Sequence, residues 1–301
     1  MRYYAASQVT TKYCVYPAIN VYRVKFTLDN SGIPCMPIGY YFNRFRKTPI
    51  YTRGHPPLVD SERKIAVFWS PKAGCTFVTK WFFAQQGILE EALDYHPFVH
   101  QYRTLVFQKS RKYRRAVRDL LKTPRDYTII KIVRHPLHRT VSCFIQANIT
   151  RFADAELSRY LGRELTRDQR FSFAEFISYL ESIDLHRCNP HLQLQTHPLE
   201  SSGKIKPTHV IDLVDSVSAL AELEISGSMK KTDMLKLAES EHHTERADTS
   251  GFYGDRIISL RRRGNTPPSR NFYNTELVER VGRLYREDFD RYHYECTLDA
   301  L

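Results

Sequence analysis

Residues 64–83 read K-I-A-V-F-W-S-P-K-A-G-C-T-F-V-T-K-W-F-F. The short apolar run Ile65-Ala66-Val67-Phe68-Trp69 has the composition of a buried strand. Ser70-Pro71-Lys72-Ala73-Gly74 breaks it, and the apolar-rich run from Thr76 to Phe83 predicts a helix. A strand, a tight loop and a helix N-terminus in succession make a site for an anion, because loop amides point at the ligand and the helix dipole adds partial positive charge. Gly74 lets the backbone approach closely, and Lys72 adds a full charge. Taken alone, the stretch would also suit an ordinary strand-to-helix turn. It is not the triphosphate-binding pattern G-x-x-x-x-G-K-[ST]. Aligned on Gly74, the lysine position holds Cys75 and the first glycine position holds Trp69; only Gly74 and Thr76 survive.

A second stretch has the same logic. Tyr127-Thr128-Ile129-Ile130-Lys131-Ile132-Val133 is a β-branched run suited to a central parallel strand. It leads directly into Arg134-His135-Pro136-Leu137-His138-Arg139-Thr140-Val141-Ser142. Arg134 falls at the carboxyl end of the strand, Pro136 can open the next helix, and Ser142 lies about two turns along it. P-K-x-G-C-T after a strand resembles the 5′-phosphosulfate loop of sulfotransferases that use 3′-phosphoadenosine 5′-phosphosulfate (PAPS). V-R-x-P-x-x-R-x-x-S resembles the element with which that family grips the 3′-phosphate, although His135 stands where Asp or Glu is common. The resemblance implies that Lys72, Ala73, Gly74, Cys75, Thr76 and Phe77 hold the phosphosulfate, while Arg134 and Ser142 hold the 3′-phosphate.

Composition bounds the reading. The chain has 301 residues, 42% of them hydrophobic, enough for a substantial core. A formal charge of +12 suits anionic ligands without choosing among nucleotide, nucleic acid, glycan and membrane. No apolar run approaches the ~18 residues of a membrane span. The start, M-R-Y-Y-A-A-S-Q-V-T, has no apolar h-region, which reads as no signal peptide and hence a cytoplasmic location. The six cysteines, at 14, 35, 75, 143, 188 and 296, read as free thiols.

Residues 1–60 suggest a β-rich extension or lid. Val21 to Leu28 alternates like a strand, Asp29-Asn30-Ser31-Gly32 is a turn signal, and Ile33 to Phe42 could return. After the first helix comes His96-Pro97-Phe98-Val99-His100. Sulfuryl transfer to a hydroxyl needs a base, and the family places a His or Glu between the two phosphate elements. The resemblance therefore implies His100 as the catalytic base, with His96 as the alternative. Residues 109–122, K-S-R-K-Y-R-R-A-V-R-D-L-L-K, predict a helix with Tyr113, Ala116, Val117, Leu120 and Leu121 on one face. Its basic remainder suits a solvated face, or a patch for an acidic acceptor or a membrane surface.

Ser172-Phe173-Ala174-Glu175 is a capping box. His186, Cys188, His191 and His197 crowd together, but without the paired spacing usual for zinc. His191 and Gln195 keep the spacing of an H-x-x-P-Q segment in carbohydrate-type sulfotransferases, with Leu194 in place of Pro, which implies a cleft wall. Residues 208–213 predict a strand, with Asp215 capping the helix after it, and residues 229–255 an exposed loop. Arg261-Arg262-Arg263-Gly264 loosely resembles a late element over the 3′-phosphate, with Arg263 the candidate grip. Asn274 looks like the N-cap of a terminal helix that packs the fold.

The resemblance spans about residues 64–294. It implies a P-loop-NTPase-like α/β domain over 61–301, with a central parallel sheet flanked by helices. It implies sulfuryl transfer from PAPS, with Lys72 and His100 catalytic and no metal required; no recognised nucleic-acid motif is present, so no nucleic acid partner is expected. The acceptor would be a hydroxyl-bearing carbohydrate or glycoconjugate. Two rivals remain: a P-loop kinase with an altered loop, and a non-enzymatic protein that binds an anionic ligand.

Overall fold

The computed structural model describes residues 55–227, 229–238, 250–258 and 266–301. The expected hairpin of residues 21–42, the rest of the extension before residue 55, and Arg263 lie outside them. Strands β1 (Leu58–Asp60), β2 (Ile65–Phe68), β3 (Thr128–Val133) and β4 (His209–Asp212) form one sheet in the order β1-β2-β3-β4. β1 runs antiparallel to β2, whereas β2, β3 and β4 are parallel. The carboxyl ends of the three parallel strands therefore share one edge of the sheet, where an open α/β sheet places its ligand.

The helices are α1 (Cys75–Gln86), α2 (Leu89–Tyr95), α3 (His100–Leu105), α4 (Arg111–Lys122), α5 (Pro136–Thr150), α6 (Asp154–Leu161), α7 (Phe173–Glu181), α8 (Pro198–Ser201), α9 (Ser216–Ser226), α10 (Met234–Ala238), α11 (Thr275–Leu284) and α12 (Arg286–Tyr292). Strand β3 is buried from Ile129 to Val133, as a strand covered on both faces should be. One apolar cluster joins the sheet to α1, α3 and α4; a second joins α5, α7, α11 and α12.

Local signals in the sequence act as expected in several places. Ser172 and Glu175 form the reciprocal capping box of α7. Asn274 caps α11 by accepting from the Leu277 amide. Tyr113, Ala116, Val117 and Leu120 form the buried face of α4.

Three readings are corrected. Asp215 precedes α9 but makes no capping bond; a short 3-10 turn comes first, and Asp212 caps that by accepting from Val214. The stretch from 229 includes α10, whose Met234 and Leu237 are buried. Its approach is anchored by Glu224, which accepts from the Thr232 backbone and hydroxyl and from Trp81. The single terminal helix is two, α11 and α12, broken at Tyr285. The buried Tyr285 hydroxyl donates to the Leu192 carbonyl, so the break ties this segment to the loop before α8.

Candidate active site

The β2–α1 loop is a backbone construction. Lys72 and Gly74 both lie in the left-handed region, each with φ of 71°. The φ of Gly74 requires glycine, and a Cβ added there would sit 2.4 Å from Leu213 Cδ1, so a side chain would also have to displace Leu213. Gly74 is the N-cap of α1 and supplies no side-chain cap to its first-turn amides. Those donors, of Cys75, Thr76 and Phe77, are what an anion at the helix N-terminus would use. Ala73 spends its N–H on the Ser70 carbonyl, at 3.1 Å. The Ala73 and Phe77 side chains are buried in the core, so neither offers a group to a ligand.

Lys72 Nζ donates to Gln146 Oε1 of α5 at 3.1 Å. Burial lowers the pKa of this ammonium below the ordinary lysine value; Arg134 adds to the shift, and the thiols of Cys143 and Cys75 oppose it. His191 lies within the field of the same charge. Burial first, then Lys72 and Arg139, lowers its pKa to about 4, which keeps the imidazole neutral at pH 7. Its ring stacks on Phe152 with centroids 4.8 Å apart.

The second element meets the first. β2 and β3 are paired neighbours, with Phe68 opposite Lys131. Arg134, one residue past the end of β3, donates from Nη1 to the Lys72 carbonyl at 3.1 Å. The α5 N-terminus is built differently from that of α1. His135 caps it, with Nδ1 accepting from the Leu137 amide, and Pro136 has no N–H to offer. Ser142 is half-buried two turns along α5 and four residues before Gln146, hence on the same helical face.

Of the two candidate bases, His100 adjoins the loop. It opens α3, is 8% exposed, and its Nε2 lies 3.3 Å from Thr76 Oγ1. The Phe98 ring meets it edge-on at 4.8 Å. His96 is exposed and is occupied locally, its Nδ1 accepting from the Phe98 amide. Lys72, Gly74, Cys75, Thr76, His100 and Arg134 thus gather at one edge of the sheet, with Ser142 two turns along α5. A model of the sulfotransferase family matches residues 56–295. The chain belongs to the sulfotransferase family. No curated protein and no solved structure matches it.

Other parts of this sulfotransferase's site gave little or no signal in sequence. Arg139, fully buried, donates to the carbonyls of Pro71, His191 and Gln193 and lies over the Tyr285 ring, so it holds the loop against the segment before α8. Its place in R-x-P-x-x-R was the available clue. Gln146 had none. The residues His186, Cys188, His191 and His197 take separate roles: His186 is exposed, His191 stacks on Phe152, and His197 caps α8. Among the described residues, no group of three or more His, Cys, Asp or Glu could hold a metal ion, and the described cysteines are free thiols. No described helix is long and apolar enough to cross a membrane.

Proposed function

We propose that this sulfotransferase takes its sulfuryl group from PAPS and delivers it to a hydroxyl of a carbohydrate or glycoconjugate. The observation that carries the donor assignment is the contact between the Arg134 guanidinium and the Lys72 carbonyl, 3.1 Å apart. It supports this reading because it joins the two elements proposed to hold the 5′- and 3′-phosphates of one adenosine. The donor set fits that group: an ammonium and uncapped helix amides on one side, a guanidinium and the Ser142 hydroxyl on the other. The carbohydrate acceptor rests on the resemblance in residues 191–195 and in the C-terminal segment.

PAPS, when bound, supplies the sulfuryl group and a phosphate leaving group. Lys72 and the amides of Cys75, Thr76 and Phe77 stabilise negative charge where it develops on that phosphate. Arg134 and Ser142 hold the 3′-phosphate and so fix the register of the nucleotide. His100 Nε2 takes the proton of the acceptor hydroxyl as its oxygen attacks sulfur, exchanging its contact with Thr76 Oγ1 for one with the acceptor.

The test pairs binding with turnover. Adenosine 3′,5′-bisphosphate should raise the melting temperature more than ATP does, because a ligand selective for the native state stabilises it in proportion to its affinity. A larger shift with ATP would count against the donor assignment. His100→Ala should lower turnover by about 10²–10⁴-fold and leave nucleotide binding intact. Near-normal turnover would move the base elsewhere.

A further inference from the structure

We propose that Gln195 is a positioning residue: its buried side-chain amide is the joint that sets the spacing between the two anion grips. This rests on the reading that one nucleotide spans them. Gln195 is 2% exposed and lies in the loop before α8, on neither grip. Its Oε1 accepts from the Arg134 amide at 2.9 Å and from the Ser70 hydroxyl at 3.3 Å. Its Nε2 donates to the Arg134 carbonyl at 2.8 Å. One side-chain amide therefore touches the first residue of the phosphosulfate loop and both backbone groups of the residue that grips the other end.

The bond pattern has a structural cause. β3 ends at Val133, so Arg134 lies beyond its strand pairing with β2 and β4. The Gln195 amide supplies the acceptor and donor that a neighbouring strand would have offered. Arg134 is thereby held in line with the strand, and its guanidinium starts from a fixed point.

The joint is itself anchored from below. Both carboxylate oxygens of Asp288, on α12, accept from the Gln195 backbone N–H, at 2.9 and 3.0 Å, and Asp288 also accepts from the Thr196 backbone N–H. Lys131 Nζ donates to the Gln195 carbonyl and lies 3.5 Å from Glu200. Asp288 and Lys131 are both wholly buried, which makes this a fully desolvated polar network. Such networks are rigid when every member is satisfied. α12, remote in sequence from either phosphate element, is in this way mechanically part of the site.

A joint between two half-sites has a signature distinct from that of a contact. Each half-site should bind its own phosphate nearly as well without it, because a monophosphate can follow the one grip it meets. Only a ligand that bridges both should lose affinity, because the second contact then has to be reached at a cost in ordering. The experiment measures the affinities of adenosine 3′,5′-bisphosphate, adenosine 5′-monophosphate and adenosine 3′-monophosphate by calorimetry. Gln195→Met keeps the volume and removes all the side-chain bonds. Ser70→Ala cuts only the loop half and leaves the pairing with Arg134.

Gln195→Met should weaken the bisphosphate about tenfold while each monophosphate changes by less than about threefold, and Ser70→Ala should do the same to a smaller extent. Gln195→Glu, which still accepts but cannot donate to Arg134, should fall between wild type and Gln195→Met in the ratio of bisphosphate to monophosphate affinity. If all three nucleotides weaken by one common factor, Gln195 is a general structural residue and the proposal is wrong. If both variants keep the wild-type ratio, it is also wrong. Should wild type itself fail to prefer the bisphosphate, the donor assignment falls instead. Should Gln195→Met not fold, Ser70→Ala decides.

Discussion

The two helix N-termini at the candidate site, those of α1 and α5, sit at neighbouring strand ends and would meet an anion in opposite ways. At α1 the N-cap is a glycine in the left-handed region that supplies no side-chain cap to the first amides, and the positive field is that of the backbone plus one lysine. At α5 the N-cap is a histidine that consumes the first available amide, and proline removes another. Charge there comes from a side chain, Arg134. A backbone grip constrains conformation and tolerates varied side chains; a side-chain grip constrains residue identity and tolerates backbone change. The difference teaches where each should be fragile.

The largest effect should come from breaking the backbone grip. Gly74→Val puts a β-branched side chain at a φ of 71° and a Cβ against Leu213. The substitution costs about 1–3 kcal/mol of strain if the loop holds its shape, and the amides move if it does not. Turnover should fall on the order of 10³-fold, the scale seen when preorganised donors are lost. Combining Gly74→Ala with Leu213→Ala separates the causes. Removing the clash should recover melting temperature while activity stays low, because the φ requirement remains. Recovery of both would show that space alone demands glycine.

The side-chain grip should break more selectively. Arg134→Ala should weaken adenosine 3′,5′-bisphosphate about 100-fold, the value of a charge-assisted pair at roughly 2–3 kcal/mol. Adenosine 5′-monophosphate should lose less than about threefold. The contact from Arg134 to the Lys72 carbonyl makes this a genuine contest. Equal losses for both nucleotides would mean that Arg134 acts mainly by supporting the loop, and the two grips would then be one.

The two segments proposed as grips were legible in sequence because each is local. A strand, a breaker, a glycine and a helix follow one another within the chain, and Arg134, Pro136 and Ser142 fall within a single strand-to-helix turn. That the central sheet is parallel was implied by the family resemblance, and β-branched runs marked the strands. What stayed hidden depends on contacts between distant segments. Gln146 looks like any polar residue of α5 until Lys72 reaches it. Asp288 is one acid in a charged helix that read as packing, yet it holds the Gln195 backbone across 93 residues of chain. The break at Tyr285 was also invisible, since a tyrosine in an amphipathic stripe says nothing of the Leu192 carbonyl its hydroxyl will find. Periodicity reports which face is buried, not which buried polar group meets which.

Acidity sharpens the comparison further, with a smaller effect. Both grips carry a cation, but the guanidinium of Arg134 keeps its proton at any accessible pH. Lys72 does not share that immunity: burial, reinforced by Arg134, lowers its pKa from the ordinary lysine value. In the free protein the ammonium is therefore lost at a lower pH than for a solvated lysine. A phosphate bound beside it favours the charged form and raises the pKa again. The sign follows. Below the free-protein value both states are protonated and affinity is flat. Between the free and bound values, binding takes up a proton, so affinity falls with rising pH by at most about tenfold per unit. Adenosine 5′-monophosphate should show this alkaline decline, and calorimetry in buffers of different ionisation enthalpy should detect the proton. Lys72→Arg should flatten the profile even if it binds more weakly overall. Adenosine 3′-monophosphate, assigned to Arg134 and Ser142, should show the decline far less in wild type. Matching declines for the two monophosphates would mean that Lys72 serves both ends, and the division between a backbone grip and a side-chain grip would have to be redrawn.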